Sequence, residues 1–512
     1  MNLRTAALAT ASGLLLAASF PTIQFPFLTW FALVPLLIAL KGSTVRNGFW
    51  TGGITGLVYF AGTVHWVTNS VHFYGGVPLV PASLITLLLC AYLALYPALF
   101  GAALVPIRKN HPSLAFLAAP ALWTALELAR TYVFSGFPWS LLGYTQYAEL
   151  PVIQVADITG VYGISFLIVL VNAALAELVL DRKRFMPLVA AGSILALVLS
   201  YGVLQLRRPE AKGTFTVSVI QGNIEQDQKW DPAYEKQVIG VYERLTIKAA
   251  KQRPDLILWP ETATPFYFNS PREADQKLSN ELKRFVKGIQ VPVLFGSPTF
   301  EILPERVVHL RNSAFLLSAE GTALAEYHKF HLVPFGEYVP LKSVLFFVDK
   351  MVQAIGDFQA GTEYAVMAVP VQGQQDVKVS TVICYEIIFP DLVRRFVDKG
   401  ATVITTITND AWFGRTAAPY QHFSMAVLRA VENRVPIARA ANTGISGFID
   451  AKGHILQTSG IFVEADLTQT LAPGTVQTLY TRYGDIFSYL CIIFTLVLLA
   501  GYHPGERKSK KR

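Results

Sequence analysis

Val377-Lys-Val-Ser-Thr-Val-Ile-Cys-Tyr-Glu386 is the stretch on which the reading of this chain turns. Residues 377–383 are rich in β-branched side chains and have the length of one buried strand. That strand ends on Cys384, followed by Tyr385 and Glu386. In α/β folds, groups that meet ligands stand just beyond the carboxyl ends of strands. The same design recurs upstream, where Asp255-Leu-Ile-Leu-Trp259-Pro260 delivers Glu261. Between them, Tyr327-His-Lys329 follows residues 322–326 and precedes Leu332-Val-Pro334-Phe-Gly336-Glu337.

Further strand-like runs lie at 215–220, 291–295, 314–318, 402–407 and 437–440, and helix-like periodicity at 233–252, 272–288 and 421–432. Strand and helix alternate, which predicts a layered α/β domain over about residues 213–475, large enough to bury its own core. A thiol, a carboxylate and an amine suffice for acyl transfer. The carboxylate takes the thiol proton, and the ammonium stabilises thiolate and oxyanion. A Cys/His pair is the rival, with His422, His328 or His331 as base, and nothing local selects among them. Each residue also has a bland role, the cysteine as a small buried hydrophobe and the Lys/Glu pair as a surface salt bridge. Zinc-type Cys/His spacing, G-x-x-x-x-G-K-[ST] and H-E-x-x-H are all missing from the sequence, so metal and nucleotide readings lose their usual support.

The rest of the chain lives in another solvent. Charged residues make up about 7% of the first 206 positions and about 21% of the remainder. Apolar stretches near the length of a spanning helix recur at about 5–21, 24–40, 48–71, 78–105, 114–135, 159–180, 185–206 and 484–502, predicting eight spans. Seven precede the polar domain within 1–206, and one follows it, ahead of a basic tail at 503–512. The first resembles a signal peptide and is read as an uncleaved anchor. Thirteen Lys and Arg residues fall on one side of these spans: Arg4, Lys41, Arg46, Arg108, Lys109, Arg182 to Arg184, Arg507, Lys508 and Lys510 to Arg512. None falls in the opposite short loops, so both termini are expected in the cytoplasm and the polar domain outside, in the periplasm. The formal charge of +8 is then mostly a record of orientation, because these segments carry +11 and everything else −3. Nucleic acid loses its support as a partner. Within the spans, Glu127 and Arg130 have the spacing of an i,i+3 ion pair, whereas His65 and Glu177 have no evident partner. Of the three cysteines, Cys90 and Cys491 lie in apolar runs, and only Cys384 is in the polar half.

In its combination of motifs the sequence resembles the bacterial apolipoprotein N-acyltransferases, a membrane-embedded branch of the nitrilase superfamily. The matching pieces are Gln221-Gly-Asn-Ile224, Lys229-Trp230-Asp231, Trp259-Pro-Glu261, Lys329 with Leu332-Val-Pro-Phe-Gly-Glu337, Ile383-Cys-Tyr-Glu386, Asn409-Asp-Ala-Trp-Phe-Gly414, Gln421-His-Phe423 and Ala441-Asn-Thr-Gly444. The resemblance spans the whole chain and implies an αββα sandwich beside the transmembrane bundle. It implies that Cys384 takes an acyl chain from a phospholipid as a thioester. The chain then passes to the α-amine of the diacylglyceryl cysteine that begins an apolipoprotein. In that scheme Glu261 is the general base, Lys329 stabilises the tetrahedral intermediate, and Glu337 is a second carboxylate near Lys329. Tyr385, Glu386 and Trp230 match positions that support the site or the substrate, and the resemblance implies no metal or organic cofactor.

Amine attack is favoured over water where lipid or a lid shields the thioester. Phe266-Tyr267-Phe268, Val344-Leu-Phe-Phe-Val348 and Trp412-Phe413 are candidate shields, with core packing as their plain alternative. Two other functions remain open at this point. One is a membrane-tethered carbon-nitrogen hydrolase (amidase) with the same three residues and water as acceptor. The other is a transporter or channel with an accessory outer domain, which the few ionisable groups in the spans support poorly.

Overall fold

A computed structural model describes residues 1–21, 23–209, 213–302, 308–338 and 358–500. The chain divides into two units, one of residues 1–65, 83–204 and 485–512, the other of residues 66–82 and 205–484. The expected basic tail and the Val344 to Val348 shield lie outside the described residues.

The first unit is helical. Three of its helices are long and apolar enough to cross a bilayer: Leu79–Asn110, Val161–Leu180 and Met186–Arg207. The other expected spans are represented by Leu3–Ala18, Val45–Val64, Ala115–Tyr132 and Ile486–Ala500, of 16, 20, 18 and 15 residues. The expected span at 24–40 is broken, with a 3₁₀ turn at Pro26–Trp30 and a short helix at Val34–Ala39, each opened by a proline at its start. Eight continuous spans are therefore not what the helices among the described residues display.

Polar contacts mark the two ends of this unit. At one end Glu177 receives Arg108 at 2.7 Å and Arg184 at 2.9 Å, and the Lys41 ammonium donates to Leu180 O. At the other, Gln24 donates to the Tyr147 hydroxyl and Gln146 to Pro26 O. Glu127 and Arg130 correct the expectation of a mutual pair. Among the described residues they bond the 139–142 segment instead of each other: Glu127 Oε1 accepts from Leu142 N at 2.9 Å, and Arg130 donates to Trp139 O at 2.9 Å. Trp123 adds a second donor to Glu127, and Phe60 lies under the guanidinium. A buried backbone turn has orphan donors and acceptors that the bilayer cannot satisfy, and these two side chains meet that need.

The second unit is built on two six-stranded sheets. Its strands in chain order are β1 (Phe215–Gln221), β2 (Leu256–Leu258), β3 (Val293–Ile302), β4 (Val308–Leu317), β5 (Ala323–His328), β6 (Met367–Val369), β7 (Val377–Ile383), β8 (Val403–Thr408), β9 (Ile437–Ala441), β10 (Gly447–Ile449), β11 (Ile455–Thr458) and β12 (Ala465–Leu471). One sheet runs β12-β1-β2-β3-β4-β5, the other β11-β10-β9-β8-β7-β6. Each has a parallel centre, β1-β2-β3 or β7-β8-β9, flanked by antiparallel strands. β1 touches β9, and β4 touches β7, so the sheets face each other. Helices Glu235–Ala250 and Glu273–Ile289 cover the first sheet, and Pro390–Asp398 and Ala418–Asn433 the second. The expected helix–sheet–sheet–helix layering is thus observed.

The helices follow local chemistry. Glu273–Ile289 has Glu273 and Asp275 in its first turn, Lys287 in its last, and a left-handed cap at Gln290. Central strands buried on both faces explain the near-continuous apolar runs. Phe266 and Phe268 pack in the core with Trp259, Phe295 and Phe315, so their aromatic rings are core rather than shield.

Candidate active site

Parallel strands point their carboxyl ends the same way, which brings distant sequence segments to one edge. Glu261 follows β2, Lys329 follows β5, Cys384 follows β7, and Asn409 and Asn442 follow β8 and β9. Glu261 and Lys329 are both buried.

Glu261 is held from three directions. Its Oε1 accepts from Asn312 Nδ2 at 2.7 Å and lies 3.6 Å from the Lys329 ammonium, while Oε2 accepts from Asn409 N at 2.9 Å. Lys329 donates to Glu337 at 2.9 Å, and the same Asn312 amide donates to Glu337 at 2.8 Å. Val333 N closes the Glu337 turn at 2.8 Å. Burial opposes the charge on Lys329, yet the Glu337 and Glu261 carboxylates hold its ammonium above lysine's ordinary value.

Cys384 takes a positive φ of 52°, a left-handed conformation that few non-glycine residues adopt. Burial pushes its thiol well up, and the Glu261 charge adds to this against the opposing pull of Lys329. The resting group is therefore a thiol that needs a base at the moment of attack. The sharp turn is braced by its neighbours. Glu386 Oε2 accepts from Ile383 N at 2.6 Å, and Oε1 accepts from the Tyr327 hydroxyl, Phe330 N and His331 N at 2.7, 2.6 and 3.1 Å. One carboxylate thus ties the strand end bearing Cys384 to the segment just after Lys329. Burial raises Glu386 to about 7, with the Ile383 and Tyr327 hydrogen bonds drawing it back.

His422, one of the rival bases, meets the backbone of Cys384. Its Nε2 lies 3.1 Å from the carbonyl oxygen of Cys384, and its Nδ1 lies 3.1 Å from Asp410 Oδ1. Arg439 donates to Asp410 Oδ2 at 3.0 Å. Burial and Arg439 lower His422 below its ordinary value, and its Nδ1 also lies 3.0 Å from Arg439. This bracing of the peptide engages both ring nitrogens. Of the other rival bases, His328 bonds Ser313, and His331 packs at a tilt against Phe389.

The remaining predicted positions are less central. Tyr385 packs edge-on against Phe389, and Trp230 is 45% exposed. Trp412 and Phe413 meet Tyr74 and Trp66 of the 66–82 segment, and Ser70 donates to Trp412 O. Asn312 escaped the sequence reading. Its only local signal is a lone amide in a strand whose following residues, 314–317, are all apolar, and its role depends on two carboxylates from other segments.

Gly296 on β3 passes directly behind the Glu261 turn, where a Cβ would stand 2.5 Å from Thr262 N and 2.7 Å from Glu261 Cα. Gly296→Ala is expected to displace the carboxylate and slow the reaction at Cys384 by about 10²-fold, the cost of a misplacement near 1 Å. Initial rates on protein whose thermal unfolding is otherwise cooperative check this.

Two family models match the chain: "Apolipoprotein N-acyltransferase N-terminal domain" over residues 12–174 and "Carbon-nitrogen hydrolase" over residues 216–480. The chain is similar to the apolipoprotein N-acyltransferase of Geobacter metallireducens, with 43% identity over 501 residues, 96% of this chain and 94% of that one. It is also similar to the enzyme of that name from Pasteurella multocida, with 34% identity over 505 residues, covering 97% and 94% of the two chains. Among solved structures, an amidase from Nesterenkonia sp. AN1 matches with 19% identity and a TM-score of 0.39, covering 54% of this chain and all of that one.

Proposed function

Because this chain belongs to the apolipoprotein N-acyltransferase family, and is a cysteine-based acyltransferase of lipoprotein maturation, we propose that Cys384 is the residue that carries the acyl group. Its thiol attacks an ester carbonyl of a phospholipid while Glu261 takes the proton, and Glu261 returns that proton to the departing oxygen as the lysophospholipid leaves. The resulting thioester is attacked by the α-amine of a diacylglyceryl cysteine, whose proton passes to Glu261, and Cys384 is released as the thiol. Lys329 stabilises the oxyanion formed in each half. Glu337 holds Lys329 in place, and Glu386 holds the Cys384 turn against the Lys329 segment. Trp230 and Tyr385 support the substrates at the rim. No metal or organic cofactor takes part.

The observation that carries this reading is the shared hydrogen-bonding frame of Asn312, Lys329 and Glu337 around Glu261, next to a buried thiol whose proton only a base can remove. In this arrangement the same carboxylate serves as base in both halves. The proposed setting is the cytoplasmic membrane, with the catalytic unit on the periplasmic face and both termini in the cytoplasm. Basic side chains from three separate parts of the chain, Lys41, Arg108 and Arg184, gather at one end of the helical unit, which supports that orientation. Both substrates carry acyl chains and so approach from the bilayer.

Purified protein incubated with labelled phospholipid and a diacylated lipopeptide is expected to yield acyl-lipopeptide and lysophospholipid in equal amounts. Release of free fatty acid with no acyl-lipopeptide would instead identify a membrane-tethered hydrolase.

A further inference from the structure

Lys229 is a buried charge to which the mechanism above gives no task. It is 0% exposed, and its ammonium donates to Glu261 O at 3.1 Å and to Thr262 Oγ1 at 2.6 Å. Those two acceptors flank the peptide just after the general base. Thr262 has a φ of 45°, a left-handed conformation that is costly for a β-branched residue and persists only where surrounding contacts impose it. A single buried ammonium thus grips both the backbone and the side chain of the turn that aims Glu261.

The loop bearing Lys229 is itself fixed by the site. Asn442 accepts from Ile224 N at 2.9 Å and donates to Ile224 O at 2.7 Å, and Asn409 Nδ2 donates to Gln226 at 2.7 Å. Asn409 also donates its backbone N–H to Glu261, so one frame holds the lysine and the carboxylate together. The charges fit this arrangement. Glu337 is matched by Lys329, and Lys229 brings a second positive charge to offset Glu261. Burial pushes the Lys229 ammonium down to about 8, while Glu261 and Cys384, the titratable groups that act on it, draw it back up. Lys329 faces Glu261 separately, at 3.6 Å.

We propose that Lys229 is a positioning residue for acyl-enzyme formation: its ammonium locks the Glu261–Thr262 turn and supplies the positive charge that keeps the Glu261 carboxylate ready to accept the Cys384 proton. This rests on Cys384 as nucleophile and Glu261 as base.

The test follows the first half-reaction alone. Full-length protein is mixed with vesicles of phosphatidylglycerol and phosphatidylcholine, neither of which carries a titrating amine, without acceptor, and the mass gain on Cys384 is timed between pH 6 and 10. Without an acceptor amine, an alkaline limb belongs to the enzyme. Wild type is expected to lose rate above pH about 8, where the Lys229 ammonium gives up its proton. Lys229→Met is expected to cut the maximal rate by about 10²-fold with little change in lipid concentration dependence, and to abolish that limb. Thr262→Val, which keeps the lysine but removes one acceptor, covers the case in which Lys229→Met does not fold; it is expected to move the limb below its wild-type position. A Lys229→Met protein that retains the limb or reacts within about threefold of wild type overturns the proposal. So does an unshifted limb in Thr262→Val. Wild type that never gains acyl mass would instead sink the underlying assignment of Cys384.

Discussion

Cys384→Ala is expected to gain no acyl mass from phospholipid, a fall of at least about 10⁴-fold in acyl-enzyme formation, as when other covalent enzymes lose their nucleophile. Alanine keeps the Cβ and removes only the sulfur. The turn at residue 384 keeps its brace from Glu386 to Ile383 N and from His422 to the carbonyl of residue 384. Loss of reaction with retained folding therefore points to the thiol itself. Cys384→Ser likewise cannot form a thioester, because it lacks the sulfur. Intact-mass measurement with hydroxylamine release decides the matter. The other two thiols, Cys90 and Cys491, are buried in apolar helices. An adduct that persists on Cys384→Ala would move the nucleophile to one of them or to another residue, and would refute the assignment.

Glu261→Gln is expected to be the next most damaging change, lowering acyl-enzyme formation by about 10³ to 10⁴-fold, near the upper end for a general base. Two effects combine. The amide cannot accept the thiol proton, and the thiol is held well above its ordinary pKa by burial. The amide also presents N–H groups where the carboxylate met only donors, from Asn312 Nδ2 and Asn409 N, so one donor is left facing another. The residual reaction then depends on thiolate formed by solvent hydroxide. Its rate should climb about tenfold per pH unit through neutral and mildly alkaline pH, since the thiol is far from half-ionised there. Stopped mixtures analysed by mass across pH give this slope. A variant with a flat profile and near-normal rate would show that the proton goes elsewhere.

Strand-ending residues are legible in the amino-acid sequence because buried parallel strands leave a strong local record. Residues 255–261 and 377–384 each show a short apolar run closed by one polar group, and a run of that kind has few other uses. The helices at 235–250 and 273–289 are equally visible from their periodicity. What sequence does not disclose is which polar groups meet. Asn312 stands 51 positions from Glu261 and 25 from Glu337, yet its amide bonds both. Three histidines are equal candidates for a base until His422 is seen to face the Cys384 carbonyl. In the helical unit, spacing favours a pair between Glu127 and Arg130, but the buried 139–142 turn offers both of them better partners.

Local pattern and composition by themselves determined that one part of this chain is lipid-soluble, that the other is a layered α/β domain, and that Glu261, Lys329 and Cys384 end its strands. These are properties of short segments, written by burial on each residue in turn. Tertiary structure alone decided that Lys229 grips the turn behind Glu261, that Glu386 joins the thiol's turn to the lysine's segment, and that the 66–82 segment belongs to the unit built on the two sheets. Those outcomes depend on directional bonds between groups far apart along the chain, and the closing of the two sheets, not any single stretch of sequence, brings such groups within reach.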